Sequence, residues 1–489
     1  MNAIIYKIHS RSSLESNSKL PLNTLHFQLS TLIDLHLKYR YFKPKEDSYM
    51  PQTLIQKILS RKTGHTDQHS GDLIRIQPEL LLASNDSINS IIQKFYQSGM
   101  KAVLCPEKVI LVNNASPVES VHQSRDTFHF QEFVHHHRIK TYYEVGRSGC
   151  PSNVVINQGH IVPGMLTVSA EPQFAELGVM GSFPVLASVH EMALSLATGE
   201  LWIQIPPSAR FRFGGTLGNW VTGIDIGLHI LKNYDLPENH KCVLEFSGEG
   251  LAELPLHERF NLANVLSAFG YEYILFEADT EVLQYLNQRT DKEAFFDQPD
   301  EKAEYEKDYE INLTAVTPMI AVAVEGEEIQ IFPVESLADE PVHKIMAGAG
   351  GSGRYEDFQI GLKLTRYNPV NSAVQMMIMP SDTVVYSDLI NNGLAGIFLD
   401  LGCEIYPSSF FKLLKEGLGI FTKVVHVMTT SPELFQSACR TEGHHVYLGS
   451  ILTNFAAAVN GSIIHPRALE MKLRKAAPHS HDDDNNKKD

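Results

Sequence analysis

The sequence is poor in cysteine. Five are spread over 489 residues, at positions 105, 150, 242, 403 and 439, and no two stand at CxxC spacing. That pattern excludes a disulfide framework and paired-thiol metal motifs, and it leads us to expect a reducing, cytoplasmic setting. No run of about 18 apolar residues occurs, so no transmembrane helix is expected. The first residues lack a secretory apolar region. Positive charge is in deficit: 41 Lys and Arg face 57 Asp and Glu, for a net charge of −16. A broad nucleic-acid surface needs clustered Lys and Arg to neutralise phosphate, so nucleic acid is not an expected partner. The GxSxG and GxxxxGK[ST] motifs are also missing.

What is present is a core-forming chain, with 43% apolar residues. Its length suggests two to four domains. Residues 1–50 read as an extension. Leu22, Leu25, Leu29, Leu32 and Ile33 stand at helical spacing there. Pro44 and Pro51 then bracket a linker. Beyond residue 51, strand-like and helix-like runs alternate. "KAVLCP" and "KVILVNN" read as strands, "SRDTFHFQEFVHHHRIK" as a helix, and "VVINQGHIVPGMLTVSA" as strand, turn, strand. "FPVLASVHEMALSLATGEL" reads as a helix, and the charged "KAEYEKDYEINL" as exposed chain. "EYILFEAD", "PMIAVAVEGE" and "KVVHVMTT" read as strands. This alternation predicts an α/β protein with largely parallel sheets. We expect units at 51–340 and 341–475, and a low-complexity, disordered tail at 476–489.

Four glycines and a serine crowd residues 348–353 in "IMAGAGGSGRYEDFQIG". A phosphate cradle is disfavoured, because a tight strand-to-helix turn calls for glycine in any case. His129 and His136 share a helix face beside His135 and His137, but no cysteine or acid joins them at ligand spacing, so a solvated or packed helix accounts for them. His444 and His445 near Glu442 fall short of the four ligands of a closed zinc site.

Several blocks, in one order, resemble the aconitase superfamily, most of all the large subunit of 3-isopropylmalate dehydratase and homoaconitase. They are "LIQKILSRKTGHTDQHSGDLIRIQPELLLASND", "VPGMLTV", "LGVMGSF", "LATGELWIQIPPSARFRFGGTL", "LEFSGEGLAELPLHERFNLANV", "YEKDYEINLTAVTPMIA" and "VYLGSILTNFAAAVNGSIIHPR", spanning about residues 52–470. The resemblance implies several α/β/α layered subdomains around an interdomain cleft. It gives no counterpart here to the family's separate swivelling domain.

It also implies where the family site should lie, and there this sequence departs from the pattern. The family's GSCTNGR reads "GAGGSGR" at 348–354, so the first cluster cysteine falls on Gly350; the CxxC pair falls on Phe410 and Leu413, with Cys403 between Asp400 and Tyr406 nearby. An iron–sulfur cluster needs thiolate ligands, so the [4Fe–4S] cofactor expected of the family is expected to be absent, and no other metal is implied. The family's Asp–His pair corresponds to Asn113 and Asn114, and a histidine to Ser152. Its GxDSHT aspartate and histidine become Glu171 and Gln173, and a glutamate becomes Ala268, while Asn264 is kept. The substrate motif NRxFxGR falls on "PELFQSA", with Pro432, Glu433 and Ala438 at its asparagine and two arginines. Losing two charge-assisted hydrogen bonds costs about 3–6 kcal/mol, or roughly two to four decades in affinity.

Ser352, Arg354, Asn264, His444 and His445 are expected to line the cleft, and Glu171, Glu433 and Ser152 could form a new acid–base group. The resulting expectation is a non-catalytic partner, scaffold or regulatory subunit. It would be a homo-oligomer or bound to a small-subunit-like or biosynthetic protein, with no membrane association. The alternative is a cluster-free lyase or isomerase acting on a small molecule in the old cleft.

Overall fold

A computed structural model describes residues 50–114, 121–238, 241–324, 327–410, 426–438 and 445–476. The helix expected over 22–33, the tail from 477, Leu413 and His444 lie outside the described residues.

The first unit opens with α1 (Leu54–Thr63), fixed by a Thr53–Gln56 capping box and stopped at Gly64 in the left-handed region. There follow β1 (Leu73–Ile76), β2 (Leu80–Ser84), α2 (Ile88–Gln97), β3 (Val109–Val112), α3 (Val121–His136), β4 (Thr141–Tyr143), α4 (Pro151–Asn157), β5 (Leu166–Ser169), β6 (Phe183–Leu186), α5 (Val189–Thr198) and β7 (Leu201–Gln204). The sheet order is β4-β3-β2-β5-β6, all parallel, while β1 and β7 pair as an antiparallel ribbon. β2 is buried at every position, because helices cover both faces of a parallel sheet.

Three sequence expectations change here. Residues 101–106 are not a strand. "VVIN" belongs to helix α4: Pro151 occupies the first turn, where its missing N–H costs nothing, and burial of Val154, Val155 and Ile156 overrides their strand preference. "FPVL" is strand β6, and the following helix starts only at the Ser188–Glu191 capping box.

The second unit contains β8 (Ser208–Gly214), α6 (Gly223–Asn233), β9 (Val243–Ser247), α7 (Leu256–Ala268), β10 (Tyr273–Phe276), α8 (Thr280–Asn287) and β11 (Lys307–Asn312). Its order is β10-β9-β8-β11, again parallel. The charged "KDYEIN" is edge strand β11, largely exposed as expected, with alternate residues facing solvent.

The third unit runs through β12 (Met319–Val324), β13 (Gln330–Pro333), β14 (Lys344–Gly348), α9 (Tyr355–Thr365), β15 (Gln375–Met379), α10 (Thr383–Asn391), α11 (Leu394–Asp400), β16 (Cys403–Ile405), β17 (His426–Thr429), α12 (Pro432–Ala438), β18 (His445–Gly449), α13 (Ile451–Asn460) and α14 (Pro466–Ala476). Its seven-stranded sheet has the order β13-β12-β18-β17-β14-β15-β16. β12 pairs antiparallel with β18, so this unit begins near residue 319 and not at 341. The cause is a strand partner more than a hundred residues downstream, which local pattern cannot reveal.

The C-terminal ends of the first and third sheets meet. Asn113, just past β3, accepts from Ser148 Oγ on its carbonyl at 2.7 Å. The Ser148 carbonyl accepts from Thr383 N at 3.1 Å, and Cys150 N donates to Ser381 O at 2.8 Å. In α/β folds the space beyond the carboxyl ends of parallel strands is where ligands bind.

Candidate functional site

The glycine loop 348–354 lies at this junction, between β14 and α9. Gly348, Gly350 and Gly353 stand at GxGxxG spacing between a strand and a helix, the order of a dinucleotide-binding turn. Internal hydrogen bonds disfavour that reading. Gly348 N donates to Thr430 Oγ1 at 2.8 Å, Ala349 N to Met379 O at 2.8 Å, Ser352 N to Ala349 O at 3.2 Å and Arg354 N to Asp357 Oδ2 at 2.9 Å. Four of the seven amides of the loop are thus engaged within the protein and are not offered to an anion. A Cβ on Gly351 would stand 2.7 Å from Asn264 Nδ2 and 3.0 Å from Glu176 Oε2, so the loop lies flat against a carboxylate.

Around it the structure assembles a buried polar group. Ser152 donates its hydroxyl to Glu176 Oε1. Cys150 Sγ lies 3.3 Å from Ser152 Oγ. Asn264 Nδ2 donates to Ser352 Oγ at 3.2 Å, and Ser352 Oγ donates to Thr430 O at 2.9 Å. Arg354 Nη2 donates to Asn153 Oδ1, and the guanidinium lies 3.8 Å over the Phe260 ring. Burial pushes the Glu176 carboxyl up to about 7; Arg354 and the Ser152 hydrogen bond oppose the shift, and Glu433 adds to it. The Cys150 thiol is pushed well above its usual value by burial, reinforced by the charges of Glu176 and Glu433. A thiol so placed is a poor metal ligand and a poor nucleophile.

The expected site residues are only partly brought together. Ser152, Ser352, Arg354 and Asn264 share the site, and Glu433 is close enough to act on Glu176 electrostatically. Glu171 does not join Ser152. Its carboxylate accepts from Ser84 N and Oγ, both at 2.7 Å, from Ser87 Oγ at 2.5 Å and from Gln173 Nε2 at 2.5 Å. It tethers the chain after β5 to the end of β2. Asn113 Nδ2 donates to Tyr142 Oη at 3.3 Å, and Asn114 N donates to Asn85 Oδ1 at 2.8 Å.

His445 is not in the cleft. It begins β18 and pairs with His426, the first residue of β17, so parallel register sets both at the opposite end of the sheet from Gly348. Gly350 has no side chain and sits at φ 57°. Phe410 is half-buried, its ring 5.6 Å from that of Tyr406. Glu176, Asn153 and Ser381 were not singled out from the sequence. Nothing local marks them, since their partners lie 24 to 201 residues away or, for Ser381 Oγ, are missing.

This donor set does not fit an iron–sulfur cluster, which needs thiolates. The loop offers none, and among the described residues the nearby thiol, Cys150, is held protonated by burial. Among the described residues no three His, Cys, Asp or Glu side chains are placed to hold a metal ion. No helix among them is long and apolar enough to cross a membrane.

A cavity of about 420 Å³ opens beside Arg354, with His257, Phe260, Tyr285, Arg289 and Glu281 in its walls. Burial disfavours charge on His257, yet the hydrogen bond and charge of Glu258, with Asp357 and Glu356, raise its pKa to about 9.

Over residues 56–461 the chain matches the aconitase family (aconitate hydratase). The 3-isopropylmalate dehydratase large subunit of Clostridium kluyveri is 28% identical over 421 residues, 86% of this chain and 100% of the relative. That of Caldicellulosiruptor saccharolyticus is 28% identical over 424 residues, 86% of this chain and 98% of the relative. Among solved structures, aconitase X of Thermococcus kodakaraensis in its holo form aligns with a TM-score of 0.46 and 13% identity, over 80% of this chain and 92% of that one.

Proposed function

The chain belongs to the aconitase family, and from that premise we propose that it is a cluster-free, non-catalytic large-subunit-like member, a cytoplasmic partner or regulatory subunit in a protein assembly. The observation that carries this reading is the setting of the glycine loop. Where the resemblance places a cluster cysteine there is Gly350, and the neighbouring Gly351 is pressed against Glu176 and Asn264. A protonated or anionic carboxyl replaces thiolate chemistry at the centre of the site. Its curated relatives carry the name large subunit, which supports a small-subunit-like chain as the partner class.

The test is direct. After anaerobic reconstitution with iron and sulfide, the full chain should stay colourless and hold no stoichiometric iron. Mixed with a competent small subunit, it should bind without turning over isopropylmalate or citrate. About four iron and four sulfide per chain, or turnover lost in Glu176→Gln, would overturn the reading.

The cavity beside Arg354 favours a second reading, cluster-free chemistry on a small molecule. Turnover in a substrate panel by the iron-free chain, abolished by Arg354→Lys, would establish it.

A further inference from the structure

A buried guanidinium in the wall of a cavity has no acid to pair with. Arg354 is 6% exposed and helps to line the cavity of about 420 Å³. Its Nη2 donates to Asn153 Oδ1, a neutral amide oxygen, and its Cζ lies 3.8 Å from the centre of the Phe260 ring. No acceptor among the described residues takes Nε or Nη1, and no carboxylate oxygen stands within 4.0 Å of the guanidinium nitrogens. Buried charges are normally paired, so this one points to a missing anion. The two carboxyls that sense its charge are engaged elsewhere. Asp382 caps α10, accepting from Val384 N at 2.8 Å and Val385 N at 3.0 Å, and takes Asn157 Nδ2 at 2.5 Å. Glu176 is held by Ser152.

Two helices begin at the same cavity. Leu256 and His257 open α7, Tyr355 and Glu356 open α9, and all four are in the cavity walls. The first amides of a helix have no acceptor within the helix. Neither start has a side chain accepting from them, since α7 follows Pro255 and α9 follows Arg354. Idle N–H groups and the positive ends of two helix dipoles thus stand beside the unpaired guanidinium. The His257 ring is already paired with Glu258 at 3.3 Å and adds little net charge.

The remaining walls choose among anions. Leu256, Phe260 and Val385 are buried and apolar, whereas Glu356 and Val384 are exposed, which gives the cavity a closed apolar side and an open mouth. Glu281, Glu356 and Asp388 also line it. A second negative charge on a ligand would meet these three carboxylates, which disfavours polycarboxylates and phosphate dianions. A neutral ligand would leave Arg354 unpaired.

We infer that the cavity binds a small monocarboxylate with a short apolar body, its carboxylate on Arg354 and the first-turn amides of α7 and α9, its body on Leu256, Phe260 and Val385. The inference goes beyond both readings of function, because a ligand seated here needs no turnover. Iron content and turnover decide those readings, whereas binding decides this one.

The experiment uses the full chain. Melting temperature and calorimetric titration are measured with acetate, propionate, butyrate, isobutyrate and benzoate, with the neutral amide of each, and with succinate and inorganic phosphate. At least one monocarboxylate should raise the melting temperature saturably. Its amide should bind about tenfold or more weakly, since it forfeits a charge-assisted contact. Arg354→Met should weaken the acid by a similar factor and leave its amide little changed. Should that variant not fold, Val384→Trp decides: residue 384 is 42% exposed, so a larger side chain there fills the mouth without entering the core, and binding should be lost. The inference is overturned if no monocarboxylate binds, if an amide binds as tightly as its acid, if succinate or phosphate binds more tightly than every monocarboxylate, or if a folded variant binds like the original chain.

Discussion

Asn264 Nδ2 donates to Ser352 Oγ at 3.2 Å, and this bond ties helix α7 of the second unit to the glycine loop of the third. Ser352 relays it to the Thr430 carbonyl at 2.9 Å, so three elements far apart in sequence share one buried chain of hydrogen bonds. Asn264→Ala removes the donor and opens a small gap. Stability should fall by about 1–3 kcal/mol, read from the urea midpoint. An unchanged midpoint would mean that the two units are held together elsewhere.

Gly351→Ala tests the close approach at the site. The new methyl would meet Asn264 Nδ2 at 2.7 Å and Glu176 Oε2 at 3.0 Å. Both neighbours are buried, so the variant should lose about 1–3 kcal/mol by overpacking. A variant as stable as the parent would show that the loop stands off from Glu176.

Glu176 sets one pH dependence. Its folded pKa, about 7, lies above the ordinary carboxylate value because of burial. The folded state therefore binds its proton more tightly than the unfolded state. Its stabilising share is complete below about pH 4.5 and is lost as pH rises through 7, by up to about 3 kcal/mol. Glu176→Gln does not titrate. Relative to the parent, it should gain stability between pH 5 and pH 8 in urea titrations. A constant difference across that range would contradict the assignment.

The far end of the sheet has the opposite sign. His426 stacks on His445 with centroids 4.6 Å apart and lies 5.5 Å from His343. Burial, then the charges of His445 and His343, lower its pKa, against a weaker pull from Glu340. Stability from this cluster is complete above about pH 6.5 and is lost as pH falls through the lowered value. His343→Gln removes one repulsion. It should flatten the acid limb of the stability curve below pH 6.5 and leave pH 8 little changed. An acid limb as steep as the parent's would show that His343 takes no part.

Much of the fold was legible in the sequence, and the reasons are local. The runs "LLLAS" and "VILV" are continuous and apolar because parallel strands are covered on both faces, and they become β2 and β3. The glycines at 348–353 announced a turn. "VVIN" misled because β-branched residues read as strand, while the deciding influence was burial of that helix beneath the cleft. "KDYEIN" is exposed as its charge implies, while its strand pairing was not legible, since an edge strand shows only half an apolar pattern.

By itself the sequence determined the α/β alternation, the family resemblance and the lack of thiols at CxxC spacing, because each is a property of residue types in a short window or a fixed order. The tertiary structure decided which residues share the site. Ser152 found Glu176 and not Glu171, Arg354 found Asn153, and His445 went to the opposite end of its sheet. The physical reason is register: parallel strands line up their carboxyl ends, and a residue's distance from such an end, set by partners up to two hundred positions away, fixes whether it reaches the cleft.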